Sequence, residues 1–294
     1  MRYAALIRSP WYRLAQLRPL AQLLIKILLF GLILFAVCFP YPGRFLRQLQ
    51  HYRNTEELIQ TDFNGIDSIN AEIDSLLAGD SSVQREIKII QWYVYHKIRY
   101  QNDWDLWTNV DYWPSAAETW QRGAEDCDGQ AILAVSILRS RGYPNARLAG
   151  NMLHIWAVVD SIPLMGAMEE ETVGREEGRI QINFPSLNLA LRSFGYTIEH
   201  FPAIRILIVS FSLLLLCFHP ATRWRFFWIS AILFLCGLLL MKDWAGNLEY
   251  LPTTRLNFDF ILGLLLILAG LLLASFSRSR SSQPKNGKDT DASP

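Results

Sequence analysis

Trp120-Gln-Arg-Gly-Ala-Glu-Asp-Cys-Asp-Gly-Gln130 is the stretch on which the reading of this chain turns. Gly123 breaks one helical segment, and a new one runs from Cys127 to about Arg141, where Gly142 ends it. The cysteine therefore opens a helix. The other three cysteines, Cys38, Cys217 and Cys236, all lie in long apolar runs, so Cys127 has no disulfide partner in the polar part of the chain. Further on, His154 opens the strand-like run His154-Ile-Trp-Ala-Val-Val-Asp160. One thiol and one imidazole, each at the start of a regular element, are the minimum set for a thiol nucleophile and its base.

Working outward, helices precede the site and strands follow it. Apolar residues at Ile59, Phe63, Ile66, Ile69, Ile73 and Leu76 predict an amphipathic helix within Glu56–Gly79. Ser81 and Ser82 can cap a second, with Val83, Ile87, Ile90, Val94 and Ile98 on its apolar face. Pro114-Ser115 opens a short helix through Glu118 to Trp120. Residues 146–149, 151–160 and 179–184 alternate like strands, with the acidic stretch 169–178 as a loop between the last two. Helices followed by an antiparallel sheet give an α+β arrangement.

The 294 residues are 51% hydrophobic, with 28 basic and 27 acidic side chains. That balance excludes a nucleic-acid binder, which needs a basic excess to neutralise phosphates. The apolar residues cluster at 20–39, 201–218, 226–241 and 260–276. A membrane span needs about 20 apolar residues, with about 17 tolerated. Trp224, Arg225 and Lys242 can snorkel at the ends of the shortest run, so four spans are expected. Their interiors hold almost no ionisable residue, which speaks against an ion path. Arg2, Arg8, Arg13 and Arg18 precede the first span without an acid, Arg223 and Arg225 separate the second and third, and Arg278, Arg280, Lys285 and Lys288 follow the fourth. The positive-inside rule then places both termini in the cytoplasm and residues 41–200 outside it. An uncleaved signal anchor is expected, since Val37-Cys38-Phe39 offers no small residues for cleavage.

A thiol at a helix N-terminus meets unpaired N–H groups and the positive end of the helix dipole, which favour the thiolate and can hold an oxyanion. Asp126 and Asp128 work in the opposite sense unless they cap the helix or point outward, and capping is the reading taken for Asp126. No zinc-ligand spacing exists among the histidines, and the acidic loop lacks the alternating pattern of a calcium site. No metal and no cofactor is expected. The aromatics from Tyr100 to Trp120 read first as packing, with Trp113 the candidate wall of a substrate groove.

Asp111-Tyr-Trp-Pro-Ser-Ala-Ala-Glu118, Gly123 and Asp126-Cys-Asp-Gly129, followed by Ile132–Gly142 and His154-Ile-Trp156, resemble the nucleophile and base regions of the transglutaminase-like superfamily. They are most similar to its bacterial cysteine peptidases, over roughly residues 83–186 and excluding the spans. The resemblance implies a papain-like thiol domain with Cys127 as nucleophile and His154 as base. It implies an acidic third residue on the strand after the histidine, and Ile180-Gln-Ile-Asn-Phe-Pro185 puts Asn183 there. Asp160 competes for that role, but lies six residues along the same strand, roughly 20 Å away if straight. A hairpin between strands 154–160 and 179–184 would bring Asn183 opposite His154. Glu125 stands where the family commonly has glycine, which bears on the shape of the groove.

The expected organisation is a cytoplasmic segment 1–19, a first span 20–39, an extracytoplasmic domain 41–200 with core 83–186, three further spans and a disordered cytoplasmic tail 277–294. The expected function is a multi-pass protein of the cell membrane acting as a cysteine peptidase or amidase, on peptide or protein substrates through a Cys127 thioester. An amine-transferring transglutaminase and a non-catalytic scaffold module of a membrane assembly are the alternatives.

Overall fold

A computed structural model describes residues 11–14, 16–79, 82–166, 170–176, 179–218, 224–247 and 258–276, with the backbone alone for 173–176, 179–182, 224 and 276. The expectations for segments 1–10 and 277–294, and for Arg223, lie outside the described residues. The chain divides into two compact units, Met1–Gly31 with Leu207–Met241 and Asn257–Pro294, and Leu32–Ile206 with Lys242–Leu256.

In the second unit, helices come first. They are α2 (Pro42–Arg53), α3 (Ile66–Leu77), α4 (Val83–Lys97), the single turn α5 (Asp103–Leu106), α6 (Ala116–Arg122) and α7 (Cys127–Ser140), with α1 (Pro19–Cys38) before them. The short strands β1 (Arg99–Tyr100) and β2 (Ala124–Glu125) pair in parallel between these helices. Then follow β3 (Arg147–Gly150), β4 (Ile155–Val159), β5 (Ile162–Leu164), β6 (Val173–Glu176), β7 (Arg179–Ile182) and α8 (Leu187–His200). The five strands order as β5-β4-β3-β6-β7, and each neighbouring pair is antiparallel. The α+β reading therefore holds in this form: mostly helix, with one small antiparallel sheet and several apolar helices.

The elements follow their apolar spacing. Ile66, Ile69, Ile73 and Leu77 are buried along α3, and Ile87, Ile90 and Val94 along α4. The first of these helices starts ten residues later than its periodicity suggests. Gly65 holds φ +116° just before it, and a Cβ there would come within 2.3 Å of Trp120 Nε1. That left-handed corner ends the register that Ile59 and Phe63 seemed to continue. In α6, Ser115 Oγ accepts the Glu118 N–H at 3.3 Å and Glu118 Oε2 accepts the Ser115 N–H at 2.9 Å, a complete capping box. The stretch expected as a loop at 169–178 contains β6.

α7 is buried from Asp128 to Leu138 and packs against β4, α4 and α6. Its sequence is apolar on nearly all sides, as a helix enclosed by others must be. At its far end Arg141 binds Glu86 Oε1 at 2.5 Å and Asp74 Oδ1 at 2.7 Å, tying α7 to α4 and α3. At its near end a Cβ on Gly129 would lie 2.6 Å from Glu125 Cγ and 2.9 Å from Pro114 Cγ.

The later apolar runs form α9 (Ala203–Cys217), α10 (Trp224–Asn247) and α11 (Phe258–Phe276), whose stretches 207–217, 224–241 and 258–276 belong to the first unit. α10 and α11 approach at backbone distance: a Cβ on Gly237 would lie 2.6 Å from the Gly263 carbonyl, and one on Gly270 2.8 Å from that of Ser230. Small residues at such crossings let helices gain dispersion contacts that lipid cannot replace. Three helices are long and apolar enough to cross a membrane, Pro19–Cys38, Arg225–Asn247 and Phe258–Ser275. The remaining expected span falls on α9, which passes only together with α8, and that pair bends by 104° at its break. The chain is thus a membrane protein by its three to four candidate helices.

Gly129→Ala gains about 1 kcal/mol of helix propensity but meets a proline ring and a pinned glutamate, at about 1–3 kcal/mol. The net expectation is a loss of stability, with Tm of the detergent-solubilised protein lower by about 2–6 °C in thermal unfolding.

Candidate active site

Cys127 holds the first position of α7, and Asp126 is its N-cap, with Asp126 Oδ1 accepting the Asp128 N–H at 3.3 Å. The capping expected of Asp126 is present. The Gly129 N–H donates to Asp128 Oδ1 at 2.7 Å and that of Gln130 to the Asp126 carbonyl at 3.1 Å. Carboxylates and the cap thus consume most of the first-turn donors expected for an oxyanion. The N–H of Cys127 itself remains outside the cap.

His154 stands in the β3–β4 turn, just before β4. Asn151 Oδ1 accepts the N–H of Leu153 at 2.8 Å and that of His154 at 3.0 Å, while the Asn151 N–H donates to the His154 carbonyl at 2.9 Å. The imidazole stacks on Trp156, ring centroids 6.1 Å apart. The backbone of the next residue, Ile155, acts on the Cys127 thiol in the direction that favours the thiolate. Thiol and imidazole line one cleft of about 390 Å3.

The group opposite the imidazole differs from both sequence candidates. His154 Nε2 lies 2.7 Å from the Met165 carbonyl, which can only accept, so Nε2 bears the proton and Nδ1 is the acceptor of the neutral ring. Met165 and Gly166 hold φ +64° and +72°, and the Met165 N–H donates to Gln91 Oε1 at 3.1 Å. Asn183 is exposed, and its N–H donates to the Thr172 carbonyl at 2.8 Å. The expected pairing of strand 154–160 with strand 179–184 does not form. β4 pairs with β3 and β5, while β7 pairs with β6, so Asn183 stands three strand spacings from His154, about 14 Å. Asp160 sits in the two-residue turn with Ser161 that closes β4 onto β5, at the far end of the strand.

Trp113 is among the residues that line the cleft. Its N–H donates to Gln48 Oε1 at 2.7 Å, and its carbonyl lies 2.6 Å from His51 Nδ1. Both partners belong to α2, a helix not read from the sequence although Pro42 at its first turn was a signal. Tyr52 of the same helix lines the cleft and donates to Asp111 Oδ2. α8, equally unread, contributes Ser193, Tyr196 and Thr197.

Glu125 does not shape the groove. Its side chain is fully buried, accepting from Trp107 Nε1 at 2.5 Å and from the Asp126 N–H at 3.2 Å. What sequence did not reveal is a convergence of acids: Asp103, Glu125, Asp126 and Asp128 bring one oxygen each within 4.8 Å of one another. Groups so placed share protons or surround a cation. Burial first, and then the Asp126 charge, push Asp111 up to about 7 and Glu125 up to about 8. The same causes raise Asp103 and Asp128 well above the carboxylate range.

Burial, followed by the charge of Asp126, also raises the Cys127 thiol above its ordinary value, against a smaller lowering by the Ile155 backbone. The helix start was expected to favour the thiolate. Desolvation and carboxylates outweigh it.

Models of known protein families give no match to this chain, and no curated protein matches it.

Glu125 favours its protonated form in the fold, so its contribution is complete below pH of about 4, the unfolded carboxyl value, and is lost as pH rises through about 8. Thermal unfolding should show stability falling between those limits, and Glu125→Gln should flatten the fall. For the imidazole, Gln91→Leu should lower the rate of Cys127 alkylation about tenfold by releasing Met165, while Asn183→Ala should leave it within about twofold.

Proposed function

We propose that this chain is a membrane-anchored thiol enzyme of the transglutaminase-like kind, a cysteine peptidase or amidase whose papain-like domain acts outside the cytoplasm on peptide or protein substrates. The observation that carries this reading is one cleft lined both by Cys127, at the start of a buried helix, and by His154. The arginines before the first span and in the loops support cytoplasmic termini in a cell membrane.

In this reading the thiol is not a resting thiolate. His154 Nδ1 takes the thiol proton as sulfur adds to the substrate carbonyl, and the Cys127 N–H steadies the oxyanion. The tetrahedral adduct collapses as the imidazolium returns that proton to the departing amine, leaving a thioester on Cys127. Water, giving its proton to His154, then adds to the thioester. Collapse expels the sulfur, which regains the proton, and releases the carboxylic acid. An amine in place of water would give transfer, as in a transglutaminase. The competing scaffold reading draws its support from the raised thiol.

The test is labelling with a peptide acyloxymethyl ketone, read by mass spectrometry of the full chain. Modification should fall on Cys127, and His154→Ala should slow it by about 100-fold or more. Labelling of Cys127 no faster than that of a thiol in the unfolded chain would overturn the enzyme and leave the scaffold.

A further inference from the structure

Four carboxyl side chains, Asp103, Asp111, Asp126 and Asp128, line the cleft around Cys127, and no lysine or arginine does so among the described residues. Between and around them stand the rings of Tyr52, Tyr100, Trp104, Trp113 and Tyr196. The guanidinium groups nearby are engaged elsewhere. Arg122 lies over the Trp107 ring at 3.9 Å, and Arg44 holds the Trp107 carbonyl at 2.5 Å. Arg205, which does not line the cleft, holds the Thr108 carbonyl at 2.7 Å through Nη2, while its Nη1 has no hydrogen-bond partner among the described residues. Asp103 lines the cleft with a side chain only 2% exposed, and its Oδ1 has no hydrogen-bond partner among the described residues. A buried, unpartnered carboxyl oxygen is costly to keep, and acids that hold protons at rest ionise when a positive group enters the cleft.

We infer that the cleft selects a substrate bearing an organic cation, an alkylammonium or guanidinium, beside the acyl carbon that Cys127 attacks. Carboxylates supply the attraction and ring faces the walls, the pairing that suits a cation carried on carbon. A hydrated metal ion would gain little from the five aromatic walls. One of the four converging acids, Glu125, does not line the cleft at all and spends its oxygens on Trp107 and the Asp126 N–H. The inference rests on the thiol-enzyme reading for the word substrate, but the charge preference itself is measurable without turnover.

The experiment uses the full chain in detergent and three methanethiosulfonates of similar size, bearing trimethylammonium, hydroxyl or sulfonate groups. Modification of Cys127 is followed by mass spectrometry. Each rate is divided by the rate with the same chain unfolded in urea, which removes intrinsic reagent differences. The expected ratio of cationic to anionic reagent is about 30-fold or more, falling severalfold in 1 M NaCl, where the screening length shrinks to about 3 Å. Asp111→Asn should lower the ratio severalfold, and Asp103→Asn provides a second reading should that variant fold poorly. A ratio near one, or one reversed, overturns the inference. A ratio abolished by millimolar Ca2+ but not by NaCl of equal ionic strength also overturns it, assigning the carboxylates to a metal ion. The two readings fail separately. A charge preference without acyl-enzyme formation removes the catalysis, and acyl-enzyme formation without a charge preference removes only this inference.

Discussion

The burial of α7 is the constraint on which the rest of this structure depends. A helix enclosed from Asp128 to Leu138 cannot shift or turn without opening the packing with β4, α4 and α6. Its first residue is thereby fixed in place, and that residue is Cys127. The same enclosure fixes β4 against the helix, and β4 begins where the imidazole stands. Cys127 and His154 line one cleft because two buried elements pack, α7 beginning with the first and β4 starting directly after the second.

Enclosing the start of a helix has an electrostatic consequence. The dipole favours negative charge there by about 0.3–1 kcal/mol, up to about 2 kcal/mol when partly buried. A single charge pair at about 4 Å is worth about 1–4 kcal/mol between the limits of water and a protein surface. Several carboxylates around the thiol therefore outweigh one dipole, and desolvation adds in the same direction. The acids themselves respond by holding protons, as the raised Asp111 and Glu125 show. The cap that organises the helix, Asp126, is also the charge that most opposes its thiolate.

Local features of this arrangement were legible in the sequence, and non-local ones were not. Helix α4, the capping box at Ser115 and the start of α7 at Cys127 follow from spacing and capping chemistry within a few residues. The left-handed corner at Gly65 could not be read, because its reason is the ring of Trp120, far along the chain. Strand order could not be read either. Sequence proximity suggested a hairpin between the strand after His154 and the strand before Asn183, yet β3 and β6 lie between them. The acids that surround Cys127 come from α5, the segment after it, β2 and α7, so their convergence is a property of the fold alone.

The Met165 carbonyl bears on what kind of base His154 can be. A carboxylate opposite an imidazole stabilises its charged form, whereas a carbonyl supplies a dipole and no charge. The imidazole is then oriented as firmly, with its Nε2 proton fixed, but the thiolate–imidazolium pair receives less help. Negative charge is not missing from the neighbourhood, since Asp126 lines the same cleft as His154. It stands beside the thiol rather than behind the imidazole, and there it opposes the thiolate. Under the proposed thiol-enzyme reading, a positive group on the substrate would offset that opposition at the moment of attack, so a neutral thiol at rest is compatible with reaction there.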